Sequence, residues 1–357
     1  MRIKPVYISY ILLAAIIVAY TLGTVQIFGP INSYLADEVW YPTAAYNYLK
    51  LIFGIAPNMS SIGYPNENGI STYMNFEHPP LGKYFMAISI LVLGYNPLAW
   101  RLPSWILGDL LLVVGFFLGE KLYEITTRKR SKSGIPGLLA SLLIAIDPTI
   151  WVMHGIAMLD IYLAFFSLIS LYALLSKHYL WSSILLGLAA LSKDPGFILY
   201  IPFLFYILKN VKGNSRRILY LLIPIAVYIE LSVPLIFYTG TVQWFQNEFS
   251  NAVWEAQGGH ASFSTSSPLS WFFNPNPFEI ASNIVLNVNS VVLLLALGFT
   301  IYMLIMRKKE YNTLLFAAFW AWTVYILFVA VFYIGNLPLY NTQGYNGGRA
   351  LGWWIAD

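Results

Sequence analysis

Seven stretches of this 357-residue chain, Val6–Phe28, Pro103–Glu120, Gly134–Met153, Ile156–Leu175, Ile218–Tyr238, Ala281–Met306 and Leu314–Ile334, are apolar on almost every face. Each is long enough to cross about 30 Å of hydrocarbon. A helix that is apolar all round has to be buried. With 58% apolar and only 10% charged residues, the chain lacks the polar surface of a soluble domain, in which about a quarter of residues are charged. The solvent for these faces is lipid, where each backbone N–H and C=O must be paired inside its own element. The expected fold class is therefore all-α, a polytopic integral membrane bundle of about nine to eleven transmembrane helices. Two shorter runs, Leu180–Leu191 and Phe197–Leu208, flank Ser192-Lys193-Asp194-Pro195-Gly196 and read as a hairpin-like pair. Leu81–Leu93 reaches only about 20 Å and reads as a surface or half-inserted helix.

Fifteen of the 20 basic residues fall in five short connections: Arg2 and Lys4; Lys121 to Lys132; Lys177; Lys209 to Arg217; Arg307 to Lys309. The positive-inside rule places these in the cytoplasm, with the amino end inside, provided Leu81–Leu93 does not cross. Lys50, Lys83, Arg101, Lys193 and Arg349 are then left on the outer side, together with Asp37, Glu38, Glu67, Glu77, Asp160, Asp194, Glu248, Glu255 and Glu279. Ionisable groups at membrane depth are costly, so their convergence on one side predicts a polar cavity there. Two outer loops, 29–80 and 239–279, are too long to be mere connectors. In the first, the aromatic-rich stretch from Trp40 to Phe53 is expected to lie as an amphipathic helix on the bilayer surface, and Pro57 to Tyr73 as a loop. Domain organisation follows: a transmembrane domain over 1–335 and a short extracytoplasmic tail over 336–357. Val6–Phe28 is long for a signal h-region and lacks a small-residue cleavage site, so it is expected to be retained. The absence of cysteine excludes disulfides, thiolate metal sites and a cysteine nucleophile.

The motifs that carry chemistry come in a fixed order: Asp37-Glu38; Glu77-His78-Pro79-Pro80-Leu81-Gly82-Lys83; Trp100-Arg101-Leu102-Pro103-Ser104; Met158-Leu159-Asp160-Ile161; Gly187-Leu188-Ala189-Ala190-Leu191-Ser192-Lys193. In this order, over roughly residues 30 to 200, the chain resembles the GT-C superfamily of glycosyltransferases. More narrowly it resembles the protein O-mannosyltransferases and the related aminoarabinose transferases. The resemblance implies transfer of a sugar, mannose among the candidates, from a polyprenyl (dolichyl-type) phosphate to an acceptor hydroxyl on the extracytoplasmic face. Inversion at the anomeric carbon is also implied. There are departures. His154-Gly155 stands where the family has Ser-Arg, which removes an expected cation. His260 with Ser264, Ser267 and Trp271 matches a later family stretch only loosely. The sequence stops about 20 residues after its last apolar run, where relatives typically continue, so the expectation is either a compact member or one in which part of the fold is absent or supplied by a protein partner.

Such a transfer needs a base for the acceptor proton and cations for the departing phosphate. Asp37 is the expected base, against a reading as a loop or helix-cap aspartate. Glu38 either orients it or is a solvated neighbour. Lys193 is the expected ligand of the donor phosphate, against a snorkelling lysine. Arg101 either binds the same phosphate or pairs with a carboxylate inside the bundle, and Lys83 and Arg349 are weaker phosphate candidates. Glu77 and His78, beside a Pro-Pro step that fixes the backbone, either help hold substrate or a divalent cation or make a structural hydrogen bond; two such residues are no metal signature. Asp160 either touches substrate or a cation or simply sits on a helix dipole, and His260 is a supporting candidate. No cofactor is expected, since no Gly-rich phosphate cradle is present. The partners expected are the polyprenyl-phosphate sugar, a protein, lipid or glycan acceptor, and membrane lipids, with no nucleic acid. The rival reading is a catalytically inactive lipid-binding or assembly subunit that keeps the fold. A transporter would place its charges near mid-membrane on broken helices, whereas these gather at one face.

Overall fold

The structure is a computed structural model, which describes residues 5–248, 268–273, 278–281 and 284–335. It is built almost wholly of helices. These are α1 (Pro5–Phe28), α2 (Tyr41–Asn47), α3 (Leu81–Leu93), α4 (Pro97–Thr127), α5 (Ile135–Ala145), α6 (Pro148–Gly155), α7 (Asp160–Leu175), α8 (Tyr179–Ser192), α9 (Tyr200–Asn210) and α10 (Asn214–Thr239). Residues 241–248 are helical again, and Ser290–Met306 and Asn312–Gly335 form two further helices. The protein is an integral membrane protein: among the described residues α1, α4 and α10 are long and apolar enough to cross a bilayer, and α5 with α6 adds a fourth if the bent pair is one span. α3, α7, α8 and Ser290–Met306 are apolar but shorter. The stretches expected as separate crossings thus differ widely in length.

Local chemistry explains the main breaks. The expected span Gly134–Met153 bends by 69° between α5 and α6. Pro148 cannot continue the ladder of α5, and Asp147 restarts the helix by accepting the Ile150 N–H at 3.0 Å. α4 opens on Asn96, whose side chain accepts the Ala99 N–H at 3.0 Å, with Pro97 at the first helical position. Its 31 residues extend for about 46 Å. The expected span Ala281–Met306 is corrected at its start: Phe278–Ala281 and Ile284–Leu286 pair as antiparallel strands. The helix begins only at Ser290, where Asn289 caps the Val292 N–H.

α7 and α8 form an antiparallel hairpin pinned by reciprocal bonds, Ser170 Oγ to the Ser182 carbonyl and Ser182 Oγ to the Ser170 carbonyl, each 2.9 Å. The larger core joins the end of α1 and the segment after it to α3, α4, α6, α7 and α8 through Phe28, Tyr41, Trp100, Met158 and Tyr162. A second core packs Leu174 and Leu186 against Phe203 and Ile207 of α9.

α3 starts and ends on one side. Lys83 in its first turn bonds to Asn75 and His78, and just beyond its end the Tyr95 N–H donates to the Asn58 carbonyl at 2.8 Å. The stretch expected on the bilayer surface is instead interior. Tyr41, Ala44 and Tyr48 are 2%, 0% and 0% exposed, and the Asn47 amide donates to the Ile70 and Tyr73 carbonyls. Its apolar residues occur on both faces of α2, so one face packs on α3 and the other is roofed by residues 57–73. The end of the bundle that carries residues 29–80 is called the loop face below.

Candidate active site

Residues 29–40 place two adjacent carboxylates in opposite directions. Ala36 adopts a left-handed conformation (φ 46°), and the short 3₁₀ turn Ala36–Val39 follows it. Glu38 then turns inward. Arg101 of α4 grips it with Nε to Oε1 at 2.7 Å and Nη2 to Oε2 at 2.6 Å. Oε1 also accepts the Ala157 N–H, and Oε2 the Leu35 N–H, both at 3.0 Å. The other guanidinium donors reach the Phe28, Ile31 and Ser33 carbonyls, so all five N–H groups of Arg101 are used. Both side chains are fully buried. Of the two readings of Arg101 the structure selects the pairing with a carboxylate inside the bundle, with no donor left for a phosphate, and it corrects both readings of Glu38, which is not a solvated neighbour and has no lone pair directed at Asp37. The clasp fastens the segment after α1 to α4 and to the turn between α6 and α7.

Asp37 turns the other way, accepting from Tyr41 Oη at 3.1 Å. Burial raises its carboxyl above the ordinary range, and Asp160 adds to this, while Lys193, His78 and the Tyr41 bond pull it back. Lys193, at the end of α8 and 2% exposed, places Nζ 3.0 Å from each oxygen of Asp160, the first residue of α7. The hairpin of α7 and α8 brings this pair together from 33 residues apart. His78 Nδ1 lies 3.4 Å from Asp194 Oδ2, and Tyr41 meets the imidazole edge-on at 5.7 Å between ring centres. Burial and the Lys193 and Lys83 charges hold His78 neutral, pushed down to about 3. Asp194 is exposed along one edge, 33% by surface, yet lies deep in the protein mass, and burial pushes its carboxyl up to about 7 against Lys83 and Lys193.

Lys83 is fully buried. Nζ donates to the Asn75 carbonyl at 2.5 Å, to Asn75 Oδ1 at 2.9 Å and to the His78 carbonyl at 2.6 Å. Its three hydrogens hold the turn that presents His78, so its reading as a phosphate ligand is also corrected. Glu77 Oε2 accepts from Tyr73 Oη and the Asn75 amide, both at 3.1 Å. Among the described residues no three His, Asp or Glu side chains gather as a metal site would require. His260, Arg349 and the tail 336–357 lie outside the described residues.

Asp37, His78, Asp160, Lys193 and Asp194 therefore form one cluster at the loop face. Asp194 was legible only as a carboxylate of the outer side, because its partner His78 is 116 residues away. Glu248, read only as a carboxylate of the outer side, accepts from Tyr228 at 2.8 Å, and neither Tyr228 nor Tyr41 carried a sequence signal as a site residue, since tyrosine is frequent in this chain. The cluster can hold an ionised carboxylate next to a paired lysine in a largely enclosed site, a base and a cation for an anion side by side.

Fold and cluster together define a helical membrane protein with a polar site at one end of its bundle. Its residues 77–237 match the family described as dolichyl-phosphate-mannose-protein mannosyltransferase. A polyprenol-phosphate-mannose–protein mannosyltransferase of Mycolicibacterium smegmatis is 33% identical over 90 residues, 25% of this chain and 16% of the relative. One from Corynebacterium glutamicum is 33% identical over 101 residues, 28% and 18% of the respective chains. The chain thus matches less than a fifth of the length of these curated relatives. Among solved structures, the Saccharomyces cerevisiae protein O-mannosyltransferase Pmt1–Pmt2 complex bound to the sugar donor aligns with 76% of this chain and 38% of its own at 17% identity and a TM-score of 0.41. The archaeal oligosaccharyltransferase AglB from Archaeoglobus fulgidus aligns over 96% and 50% at 14% identity and a TM-score of 0.47. The resemblance of the motifs to the protein O-mannosyltransferases agrees with this family match, which takes in His78, Lys83, Arg101, Asp160, Lys193 and Asp194 but not Asp37, Glu38, Tyr41 or Glu248.

Proposed function

We propose that this chain carries the catalytic part of a protein mannosyltransferase that uses a polyprenyl-phosphate-mannose donor, with its loop face extracytoplasmic and its amino end in the cytoplasm. Asp37 takes the proton of the acceptor hydroxyl as that oxygen bonds to the anomeric carbon. The bond from that carbon to the phosphate oxygen breaks on the opposite side, which inverts the configuration, and the polyprenyl phosphate departs with the electron pair toward Lys193. Asp160 holds Lys193 in place before the donor arrives and gives way to the phosphate. No nucleotide or resident cofactor enters this scheme. A divalent cation is tested by chelation, which leaves the rate unchanged if the scheme is right.

The observation that carries the reading is the placement of the half-buried Asp37 near Lys193, which is 2% exposed and whose charge partly offsets the rise that burial gives the Asp37 carboxyl. The test is Asp37→Asn, which lowers transfer by about 10² or more, the usual loss of a general base, with donor binding nearly intact. Near-normal turnover of that variant removes Asp37 from the role. A second reading, an inactive lipid-binding subunit, is favoured by the Lys193–Asp160 pair at 3.0 Å. It predicts binding of polyprenyl phosphate with no transfer by the unaltered protein.

A further inference from the structure

Where α1, α4 and α6 meet, away from the loop-face cluster, lies a second set of ionisable groups. His154 of α6 is fully buried. Its Nε2 is 2.8 Å from the Trp105 carbonyl and 3.7 Å from Asp109 Oδ1. The carbonyl accepts only, so Nε2 carries a hydrogen. Nδ1 is 3.0 Å from Thr24 Oγ1, and that hydroxyl is also 3.0 Å from the Tyr20 carbonyl. Asp109 Oδ2 is 2.8 Å from Thr21 Oγ1, which is 2.9 Å from the Ile17 carbonyl. Asp109 Oδ1 is buried with no hydrogen-bond partner among the described residues.

Each threonine has one proton to donate, and each faces two acceptors. If Thr24 donates to the Tyr20 carbonyl, Nδ1 must donate to Thr24, and His154 is an imidazolium. If Thr24 donates to Nδ1, the ring is neutral. In the same way, if Thr21 donates to the Ile17 carbonyl, a carboxylic acid hydrogen on Oδ2 completes the contact, and if Thr21 donates to Oδ2, Asp109 is a carboxylate or an acid with its hydrogen on Oδ1; the two side chains thus have four charge combinations. A net charge this far inside apolar helices is strongly disfavoured. Only two of the four combinations have none.

We propose that Asp109 and His154 form a proton-binding site within the membrane-embedded helices, holding one exchangeable proton between them. It is present either as carboxylate with imidazolium or as carboxylic acid with neutral imidazole. Exchange between these two forms leaves the net charge at zero. The surrounding groups leave this balance to the pair. From α1, Tyr20 stacks on the imidazole at 4.6 Å between ring centres. At the head of α6, Asp147 is occupied by the Ile150 N–H. α5 and the strand Ile284–Leu286 contain no ionisable residue, Arg101 of α4 is committed to Glu38, and Asp160 of α7 pairs with Lys193. The site adjoins the Glu38 clasp, because Trp105 Nε1 donates to the Gly155 carbonyl at 3.0 Å and the next turn delivers the Ala157 N–H to Glu38.

The test uses the full chain in lipid nanodiscs at neutral pH. Infrared spectroscopy reads the carbonyl stretch of a protonated carboxylic acid, assigned by its loss in Asp109→Asn. Nitrogen NMR on 15N-histidine protein reads imidazole against imidazolium, assigned by loss of a resonance in His154→Gln. A carboxylic acid with neutral imidazole, or a carboxylate with imidazolium, is the expected result. A carboxylate with neutral imidazole, or a carboxylic acid with imidazolium, overturns the proposal. Should either variant fail to fold, Thr21→Val and Thr24→Val make the same assignments by shifting the carboxyl band and the Nδ1 resonance.

Discussion

At the residue scale, neighbours in sequence have opposite fates. Asp37 and Glu38 read as an acidic pair, yet Glu38 is spent inside the fold on Arg101 while Asp37 faces Lys193 and His78. Removing one partner of a buried, hydrogen-bonded ion pair costs about 3–5 kcal/mol. Arg101→Ala is accordingly expected to lower the thermal unfolding midpoint sharply, whereas Lys193→Ala, at the proposed phosphate site, should mainly weaken binding of a polyprenyl-phosphate analogue. Titration of the analogue and a melting curve for both variants separate the two roles. Equal donor affinity for Lys193→Ala and the unaltered protein would place the phosphate elsewhere. The Asp194 carboxyl is raised from 3.8 to about 7 in the fold, so the native state holds this proton where the unfolded chain has lost it. Its contribution is full below about pH 4 and disappears as pH rises through 7. His78, lowered from 6.5 to about 3, contributes in the opposite sense: its stability is present above 6.5 and lost on acidification toward 3. Between about pH 4 and 6.5 the two contributions oppose each other, so Asp194→Asn should remove the falling one and make stability rise more steeply with pH than in the unaltered protein. Melting curves across that range check the sign.

At the element scale, close approaches depend on two glycines. A Cβ on Gly108 of α4 would run into the His154 ring, and one on Gly155 into the Phe28 ring. Both obstacles are side chains packed in the core and have nowhere to move. Gly155→Leu is expected to destabilise the protein by several degrees in its melting midpoint and to reduce activity by loosening the Ala157–Glu38 bond. A melting midpoint unchanged from the unaltered protein would mean that α1 and α6 can part freely. α3 shows a different dependence on context. Its 13 residues are as apolar as a spanning segment, and length alone argued that it does not cross. The structure adds that both of its ends are tied to residues 58–78.

At the scale of the whole molecule, titratable groups divide between two ends. Lys121, Glu124 and Arg130 associate near the end of α4, far along that helix from Arg101, and the site cluster occupies the loop face. If the basic end is cytoplasmic, a single cysteine at Thr127 is labelled by an impermeant reagent only from inside, and one at Asn66 only from outside. Labelling of both from one side would refute the proposed orientation and with it an extracytoplasmic active site.

Much of this was decided by sequence alone. Lipid cannot satisfy backbone polar groups, so a chain this apolar is committed to helices, and the boundaries of α1, α3 and α10 follow from apolar runs ended by Gly, Pro or charge. The candidates for the site were also legible, because charges that the positive-inside rule leaves unexplained need another cause. Which of them meet could not be read. Partnership depends on separations such as the 63 residues between Glu38 and Arg101 or the 116 between His78 and Asp194, bridged only when the helices pack. A lysine in sequence is only a charge. Whether it is held by carbonyls, as Lys83 is, or stands against a carboxylate, as Lys193 does against Asp160, is fixed by what the fold brings within 3 Å of its nitrogen.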